Sequence, residues 1–162
     1  MHSKASMILI LFLLTACAGR VSAPNDRAVE TTEKGGMDSI EDLAAEYRRL
    51  RLVKGHFEGG TWNDDVDKWM GRKHQLMIQL GALLGTGECS RAEVIRLLAD
   101  PDRIVRAGDE LFDLVSSLPD FEEPAAGPYE LLIYHWRGQH DFLYFTCQGE
   151  TIANSGWWYA GD

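Results

Sequence analysis

The sequence predicts an α+β fold in which helices pack on one face of a C-terminal, three-stranded antiparallel meander. Apolar residues recur at helical spacing between residues 38 and 98, whereas nine of the sixteen aromatic residues lie between residues 129 and 159. The predicted strands (129–136, 140–147 and 150–159) are separated by turns so short that neighbouring strands must run antiparallel. A sheet this small is marginal alone, so one of its faces is expected to pack on the helices.

Two amphipathic helices are predicted in the first half of the domain. The first spans residues 38–53 and is expected to begin with a cap formed by Asp38 and Glu41. The second spans residues 63–84 and carries a broad apolar stripe. Its polar side is expected to include three consecutive residues, Arg72, Lys73 and His74.

A third, shorter helix and an acidic segment follow. Ser90 and Glu93 match the S-x-x-E capping box, and Pro101 stops the helix because the residue before a proline avoids the helical conformation. Residues 100–123 carry eight acidic side chains, and apolar residues at 111–115 predict one or two helical turns. The order of ligands in a calcium-binding loop is absent, so the acidic side chains are interpreted as a solvated face.

The N-terminus indicates an exported protein. Lys4 precedes an apolar run at residues 7–14, which is too short to span a bilayer and fits the central region of a secretory signal. The following Leu14-Thr15-Ala16-Cys17 resembles the bacterial lipobox. That resemblance implies cleavage before Cys17, a diacylglyceryl group on its thiol and an acylated amino group. A buried helix or strand at the start of the domain is the alternative.

The chain is therefore divided into three predicted segments. Residues 1–16 are the lipoprotein signal peptide, residues 17–37 are the lipidated cysteine and a flexible polar tether, and residues 38–162 are a single α+β domain. Several acyl chains anchor a protein stably, so Cys17 is expected to hold the domain at a membrane of the cell envelope. Ala18, rather than Asp, follows the cysteine, which by the lipoprotein sorting pattern implies the outer membrane, facing the periplasm, in a diderm cell.

The charge balance argues against a nucleic-acid partner. The chain has 16 Lys and Arg against 25 Asp and Glu, and a formal net charge of −9. Loss of Lys4 with the signal changes the side-chain balance to 15 − 25 = −10. Binding to nucleic acid or to anionic lipid requires a basic face. The expected partners are the membrane, through the lipid at Cys17, and another envelope protein.

Two sequence features occur together in the domain. One is a Gly-rich turn followed by the capped helix and its proline stop, at residues 85–101. The other is the aromatic meander, which carries Tyr134-x-Trp136 and Leu143-x-Phe145. Over about residues 80–159 they resemble the BamE/SmpA-OmlA family of small envelope lipoproteins, whose domain is similar to one repeat of β-lactamase inhibitor protein. The resemblance implies two helices on a three-stranded sheet and a protein-binding role. The family's Leu-Gly-x-Pro stop is here Leu98-Ala99-Asp100-Pro101.

Two cysteines remain after lipidation. An exported compartment permits a disulfide between Cys89 and Cys147, and two buried free thiols fit the sequence equally well. No C-x-x-C spacing is present, so redox catalysis has no support.

Three residues at the first turn of the meander are the candidate metal ligands: His135, His140 and Asp141. Two imidazoles and a carboxylate bind zinc when all three converge, whereas hairpin residues of these types are more often surface or turn residues. The G-x-S-x-G, H-E-x-x-H and P-loop patterns are absent. The protein is therefore predicted to be no enzyme, with no catalytic residue, metal or other cofactor. The alternatives are a metal-dependent envelope hydrolase that uses these three residues, and a protein inhibitor.

The candidate partner-binding residues are aromatic: Trp136, Trp157, Trp158 and Tyr159. Adjacent strand residues point to opposite faces, which groups Trp157 with Tyr159 and places Trp158 opposite. One tryptophan is expected in the core and the other at solvent or a partner, with the acidic segment at the rim. Alternatively, a helix or the loop before Tyr129 covers the second face and buries both. The predicted function is a lipid-anchored envelope lipoprotein that acts as a non-catalytic protein-binding or assembly module.

Overall fold

The computed structural model describes residues 39–125 and 127–161, which form an α+β fold. The helices are α1 (Ile40–Arg51), α2 (Asp64–Asp67), α3 (Arg72–Leu84), α4 (Arg91–Leu98) and α5 (Glu110–Ser116), with a 3₁₀ turn at His56–Glu58. The strands are β1 (Arg103–Arg106), β2 (Glu130–Arg137), β3 (Asp141–Gln148) and β4 (Thr151–Trp158). The predicted signal, Cys17 and the tether lie outside the described residues. Within the described part, no helix is both long enough and apolar enough to cross a bilayer.

The sheet has four antiparallel strands in the order β1-β2-β3-β4. Strands β2, β3 and β4 correspond to the three predicted strands of the meander. The additional strand β1 lies at the edge beside β2, where Ile104 is opposite Leu132. Its four residues contain two apolar side chains within the acidic segment, which is too short a pattern to indicate a strand.

The N-terminal cap of α1 lies one residue later in the chain than predicted. The backbone N–H of Asp42 donates to the Ser39 hydroxyl oxygen at 3.2 Å, and the N–H of Ser39 donates back to the Asp42 carboxylate at 3.3 Å. These two bonds form a complete capping box. The cap pair is therefore Ser39 and Asp42, and the prediction of Asp38 and Glu41 is wrong.

The single helix predicted over residues 63–84 is wrong, because the chain breaks between α2 and α3. Lys68 is extended (φ −76°, ψ 137°) and Met70 has a positive φ of 57°. Gly71 then packs so closely on the backbone that a Cβ there would lie 2.3 Å from the carbonyl oxygen of Asp64. Trp69 lies within the break and is exposed, and α3 begins after it at Arg72.

Helices cover both faces of the sheet. Helices α1, α3 and α4 pack on the face that carries Tyr134, Trp136 and Phe145. Helix α5 and the loop that follows it pack on the opposite face, which carries Leu131, Ile133, Phe142 and Tyr144. The structure therefore has the arrangement left open as the alternative, in which a helix and the loop before Tyr129 cover the second face.

Two arginines of α1 join it to the end of α4. Arg48 Nη1 donates to the carbonyl oxygens of Arg96 and Leu97 at 3.1 and 2.8 Å. Arg51 Nη1 donates to the carbonyl oxygen of Leu98 at 3.0 Å. Cationic donors at a helix C-terminus satisfy carbonyl groups that lack helical partners and oppose the helix dipole favourably.

The residue after α4 has an unusual backbone conformation. Ala99 has φ 66° and ψ −176°, a region that glycine adopts readily and residues with a Cβ rarely do. Its carbonyl oxygen accepts a hydrogen bond of 3.0 Å from the Tyr134 hydroxyl. The reversal directs the chain through Pro101 into β1.

Candidate functional site

The three tryptophans of the meander that were predicted to bind a partner are less exposed than expected. Trp136 is fully buried and therefore cannot contact a partner. Trp157 is half-buried on the side of the sheet that faces α3. Trp158 is half-buried on the opposite face, where the centroid of its ring lies 6.4 Å from that of Phe142. The alternation of the two tryptophans is as predicted, but each packs on a core and no open sheet face lies beneath either of them.

Exposed aromatic surface occurs instead at the end of the sheet, beside the break between α2 and α3. Trp69, Met70 and Tyr159 are 53%, 48% and 38% exposed. We call these three residues the aromatic patch. The rings of Trp69 and Tyr159 lie 5.2 Å apart, centroid to centroid. The sequence does not single out Trp69 and Met70, because both fall in the apolar stripe of the continuous helix predicted over residues 63–84. Gly71 is the residue that could indicate the break.

A buried histidine supports the aromatic patch from beneath. The His74 imidazole lies on the Trp136 indole, with centroids 4.0 Å apart and planes 10° from parallel. Nδ1 accepts a hydrogen bond from the backbone N–H of Met70 at 3.2 Å, so the proton of the neutral ring belongs on Nε2, 3.2 Å from the Tyr159 hydroxyl oxygen. His74 therefore holds two residues of the patch in place.

The environment of His74 favours its neutral form. Burial lowers the pKa of His74 to about 4, and the Arg137 guanidinium acts in the same direction. The prediction that His74 and Lys73 lie on a polar helix face is wrong, because both side chains are buried. Polar residue types predict a solvent-facing side here, whereas Trp136 on β2 contacts both side chains and Trp157 on β4 also contacts His74.

A cleft of about 770 Å³ opens on another side of β2. It lies between the end of α1, the following loop and the turn that joins β2 to β3. Its polar lining residues are Arg51, Lys54, Glu58, Lys73, Asp102, His135, Gln139 and His140. Phe57, Leu52 and Val53 contribute apolar surface. The volume is in the range of small-molecule binding sites.

Lys73 lies at the base of this cleft and is only 3% exposed. Its Nζ donates a hydrogen bond to the carbonyl oxygen of Trp136. Burial lowers the pKa of Lys73, and the Glu58 and Asp102 carboxylates oppose that effect from a distance. Within the described residues, Nζ forms no ion pair with any carboxylate.

The two carboxylates of the cleft are engaged elsewhere. Asp102 accepts a bond of 2.7 Å from Arg51 and another of 2.7 Å from the backbone N–H of His135. Glu58 accepts from the backbone N–H groups of Gly55 at 2.8 Å and Gly138 at 3.3 Å. Both carboxylates therefore organise the walls of the cleft, and neither neutralises the ammonium group at its base by direct contact.

The predicted metal ligands do not form a common site. His135 and His140 line the cleft, whereas the Asp141 carboxylate accepts hydrogen bonds from Arg137 Nε at 2.6 Å and from the N–H of Ala160 at 3.1 Å. Residues 39–125 and 127–161 contain no group of three or more His, Cys, Asp or Glu side chains that could hold a metal ion. Burial also lowers the pKa of His135.

Both cysteines of the described part are free thiols. Cys89 is half-buried before α4, and Cys147 is buried in β3, where its Sγ lies 3.3 Å from the carbonyl oxygen of Gly149. Burial raises the pKa of both thiols, which favours the unreactive protonated form. The structure therefore has two free thiols and no disulfide between Cys89 and Cys147.

Comparisons with protein-family models, with curated proteins and with solved structures find no match to this chain. Two features of the domain have the geometry of binding surfaces. One is the aromatic patch, which is exposed and supported by buried rings. The other is the cleft with Lys73 at its base.

Proposed function

We propose that this protein is a lipid-anchored lipoprotein of the cell envelope whose domain binds another envelope protein through the aromatic patch and catalyses no reaction. The observation that carries the proposal is the exposed Trp69 ring, fixed against Tyr159 above the buried His74 and Trp136. Rigid exposed tryptophan and tyrosine side chains bury a large area on binding and lose little conformational entropy.

The proposed location rests on the N-terminal sequence. A short apolar run, small residues and Cys17 occur in the order of a lipoprotein signal, and the chain lacks the basic surplus expected of a nucleic-acid binder. A lipid at Cys17 followed by a polar segment of about 20 residues leaves the domain close to a membrane without inserting it.

The anchor is tested by lipid labelling and fractionation of cells that produce the full chain. The wild-type protein is expected to incorporate a palmitate analogue and to sediment with membranes, and Cys17→Ser is expected to lose both properties. Cys89→Ser is the matched control, because it removes a thiol of the folded domain and leaves Cys17 in place. Labelled, membrane-bound Cys17→Ser protein contradicts the proposal.

The binding surface is tested by photo-crosslinking in living cells. A photo-reactive phenylalanine at position 69 is expected to yield a discrete protein adduct. The same group at position 114 is the control, because Leu114 is exposed on α5 away from the patch. Trp69→Ala combined with Tyr159→Ala is expected to reduce recovery of that partner, while thermal unfolding shows a folded domain. Identical adducts from both positions, or none from position 69, contradict the assignment of the surface.

A further inference from the structure

The cleft has a feature that the protein-binding proposal does not explain. An ammonium group, Lys73 Nζ, lies at its base, and among residues 39–125 and 127–161 it has one hydrogen-bond acceptor, the carbonyl oxygen of Trp136. An ammonium carries three N–H donors, and burial of a cation without a counter-ion is costly. A buried lysine that lines an open cleft and lacks an ion pair within the described residues is arranged to receive an anionic group.

The charged residues that line the cleft indicate how many negative charges the anionic group carries. Three lining side chains are cationic (Arg51, Lys54 and Lys73) and two are carboxylates (Glu58 and Asp102), which gives 3 − 2 = +1 before the two histidines are counted. A monoanion neutralises this surplus. A dianion such as phosphate would add repulsion from Glu58 and Asp102, whose positions are fixed by the hydrogen bonds described above.

The apolar residues that line the cleft indicate the chemical nature of the rest of the ligand. Phe57 and Leu52 expose apolar surface at the cleft, and neither belongs to the two buried clusters that cover the faces of the sheet. The Arg137 guanidinium stacks 5.0 Å from the centroid of Phe57, which holds that ring in place. A small ligand with a hydrophobic body contacts such a rim while its charged end reaches the base.

We infer that the cleft binds a small monocarboxylate with an apolar or aromatic body, whose carboxylate pairs with Lys73 Nζ. Arg51 and His135, which both contact Asp102, border this site in the cleft, and Phe57 covers the hydrophobic body. This site is separate from the aromatic patch, so its existence does not depend on the proposed partner protein.

The inference is tested by titration calorimetry on the full chain, purified from membranes in detergent. Benzoate is the probe, and benzamide is the uncharged control of the same shape. Benzoate is expected to bind at least about tenfold more tightly than benzamide, as a charge-assisted hydrogen bond requires. Inorganic phosphate is the third probe and is expected to bind more weakly than benzoate.

Two variants assign the binding to Lys73. Lys73→Met keeps the side-chain length and removes the charge, and is expected to weaken benzoate binding about tenfold or more. Lys68→Met removes the same charge from an exposed lysine outside the cleft and is expected to leave binding unchanged. Urea unfolding shows whether each variant is folded, and if Lys73→Met does not fold, Lys54→Met at the cleft rim replaces it, with a smaller loss expected.

Several outcomes overturn the inference. Equal binding of benzoate and benzamide removes the role of the carboxylate. Wild-type affinity in the folded Lys73→Met variant, or in Lys54→Met where that variant replaces it, removes the role of the cationic lining. Tighter binding of phosphate than of benzoate replaces the monocarboxylate with a different anion. Loss of the protein adduct at position 69, by contrast, affects the proposed function and leaves this site unaffected.

Discussion

The imidazole of His74 is stacked on the indole of Trp136, with ring centroids 4.0 Å apart and planes 10° from parallel. Both rings are fully buried, although one belongs to a helix and the other to the inner strand β2, near its end. The stack joins α3 to β2 and places an ionisable ring in the core. The stability of the fold is therefore expected to depend on pH through this ring.

The first prediction concerns stability in mild acid. The pKa of His74 is lowered from 6.5 to about 4 by burial, so well above pH 6.5 the ring is neutral in both the folded and the unfolded chain. As the pH falls from 6.5 towards 4, the unfolded chain binds the proton first, and stability declines. When the pH is lowered from 7.5 to 4.5, the unfolding free energy is expected to fall by about 2 kcal/mol because of His74 alone, as measured by urea denaturation.

A comparison of variants isolates this contribution from that of the carboxylates. His74→Gln is expected to be less stable than the wild type at pH 7.5 and to lose less stability on acidification. His56→Gln, a histidine change at the surface, is expected to retain the wild-type difference. An unchanged acid loss in His74→Gln would falsify the assignment.

The second prediction concerns the arginines that bind the end of α4. Arg48→Met removes two hydrogen bonds to the carbonyl oxygens of Arg96 and Leu97 and is expected to cost about 1–2 kcal/mol of unfolding free energy. Arg49→Met is the matched control, since among the described residues the largely exposed Arg49 side chain forms a single long ion pair, 3.9 Å from Glu46, and its loss is expected to cost less than about 0.5 kcal/mol. Equal losses in the two variants rule out a capping role for Arg48.

The third prediction concerns the backbone at the end of α4. Ala99→Gly is expected to stabilise the fold by about 1 kcal/mol, because glycine adopts φ 66° without strain. Ala107→Gly, an exposed alanine in the turn after β1, is the control and is expected to destabilise slightly through the entropy of the unfolded chain. Thermal unfolding of the two variants distinguishes the effects by sign. A lower midpoint for Ala99→Gly would show that Ala99 is unstrained.

The fourth prediction compares two glycines of the loop after α1. A Cβ on Gly55 would lie 2.2 Å from Asp67 Oδ1, and Asp67 is held by the N–H groups of His56 at 3.0 Å and Asn63 at 2.8 Å. Gly55→Ala is therefore expected to cost more than about 2 kcal/mol of unfolding free energy. Gly59→Ala meets no described atom within 4 Å but has φ +83°, so strain of about 1 kcal/mol is expected. Urea denaturation that ranks Gly59→Ala as the costlier change contradicts this account.

The fold class and the main elements follow from local patterns in the sequence. The cap at Ser90, the end of α4 before Pro101 and the three long strands depend on residues close together in the chain, and the structure confirms them. The break before Gly71 depends on a close approach of that residue to the backbone of Asp64. An apolar stripe that is interrupted by a single turn still has helical periodicity in the sequence, so periodicity does not reveal the break.

The candidate sites were harder to predict because they depend on contacts between distant residues. Lys73 falls on the predicted polar face of its helix, yet its Nζ reaches the carbonyl oxygen of Trp136 on β2. Lysine is rarely buried in this way. The sequence does not decide what covers the second face of the sheet, since α5 is short and contributes two side chains, Phe112 and Val115, to the buried core there. The sequence places Tyr159 among the candidate partner-binding residues, whereas Trp69 joins it only through tertiary contacts.

The arrangement of the sheet edges bears on self-association. Residues 89–91 run along the start of β4, where the N–H of Ile152 donates to the Cys89 carbonyl at 3.0 Å and the N–H of Arg91 donates to the Glu150 carbonyl at 2.8 Å. The opposite edge, β1, is four residues long and carries an arginine at each end. Short, charged or covered edges are poor templates for strand addition. Edge-to-edge aggregation of crowded copies of this domain is thus disfavoured at β1 and at the start of β4.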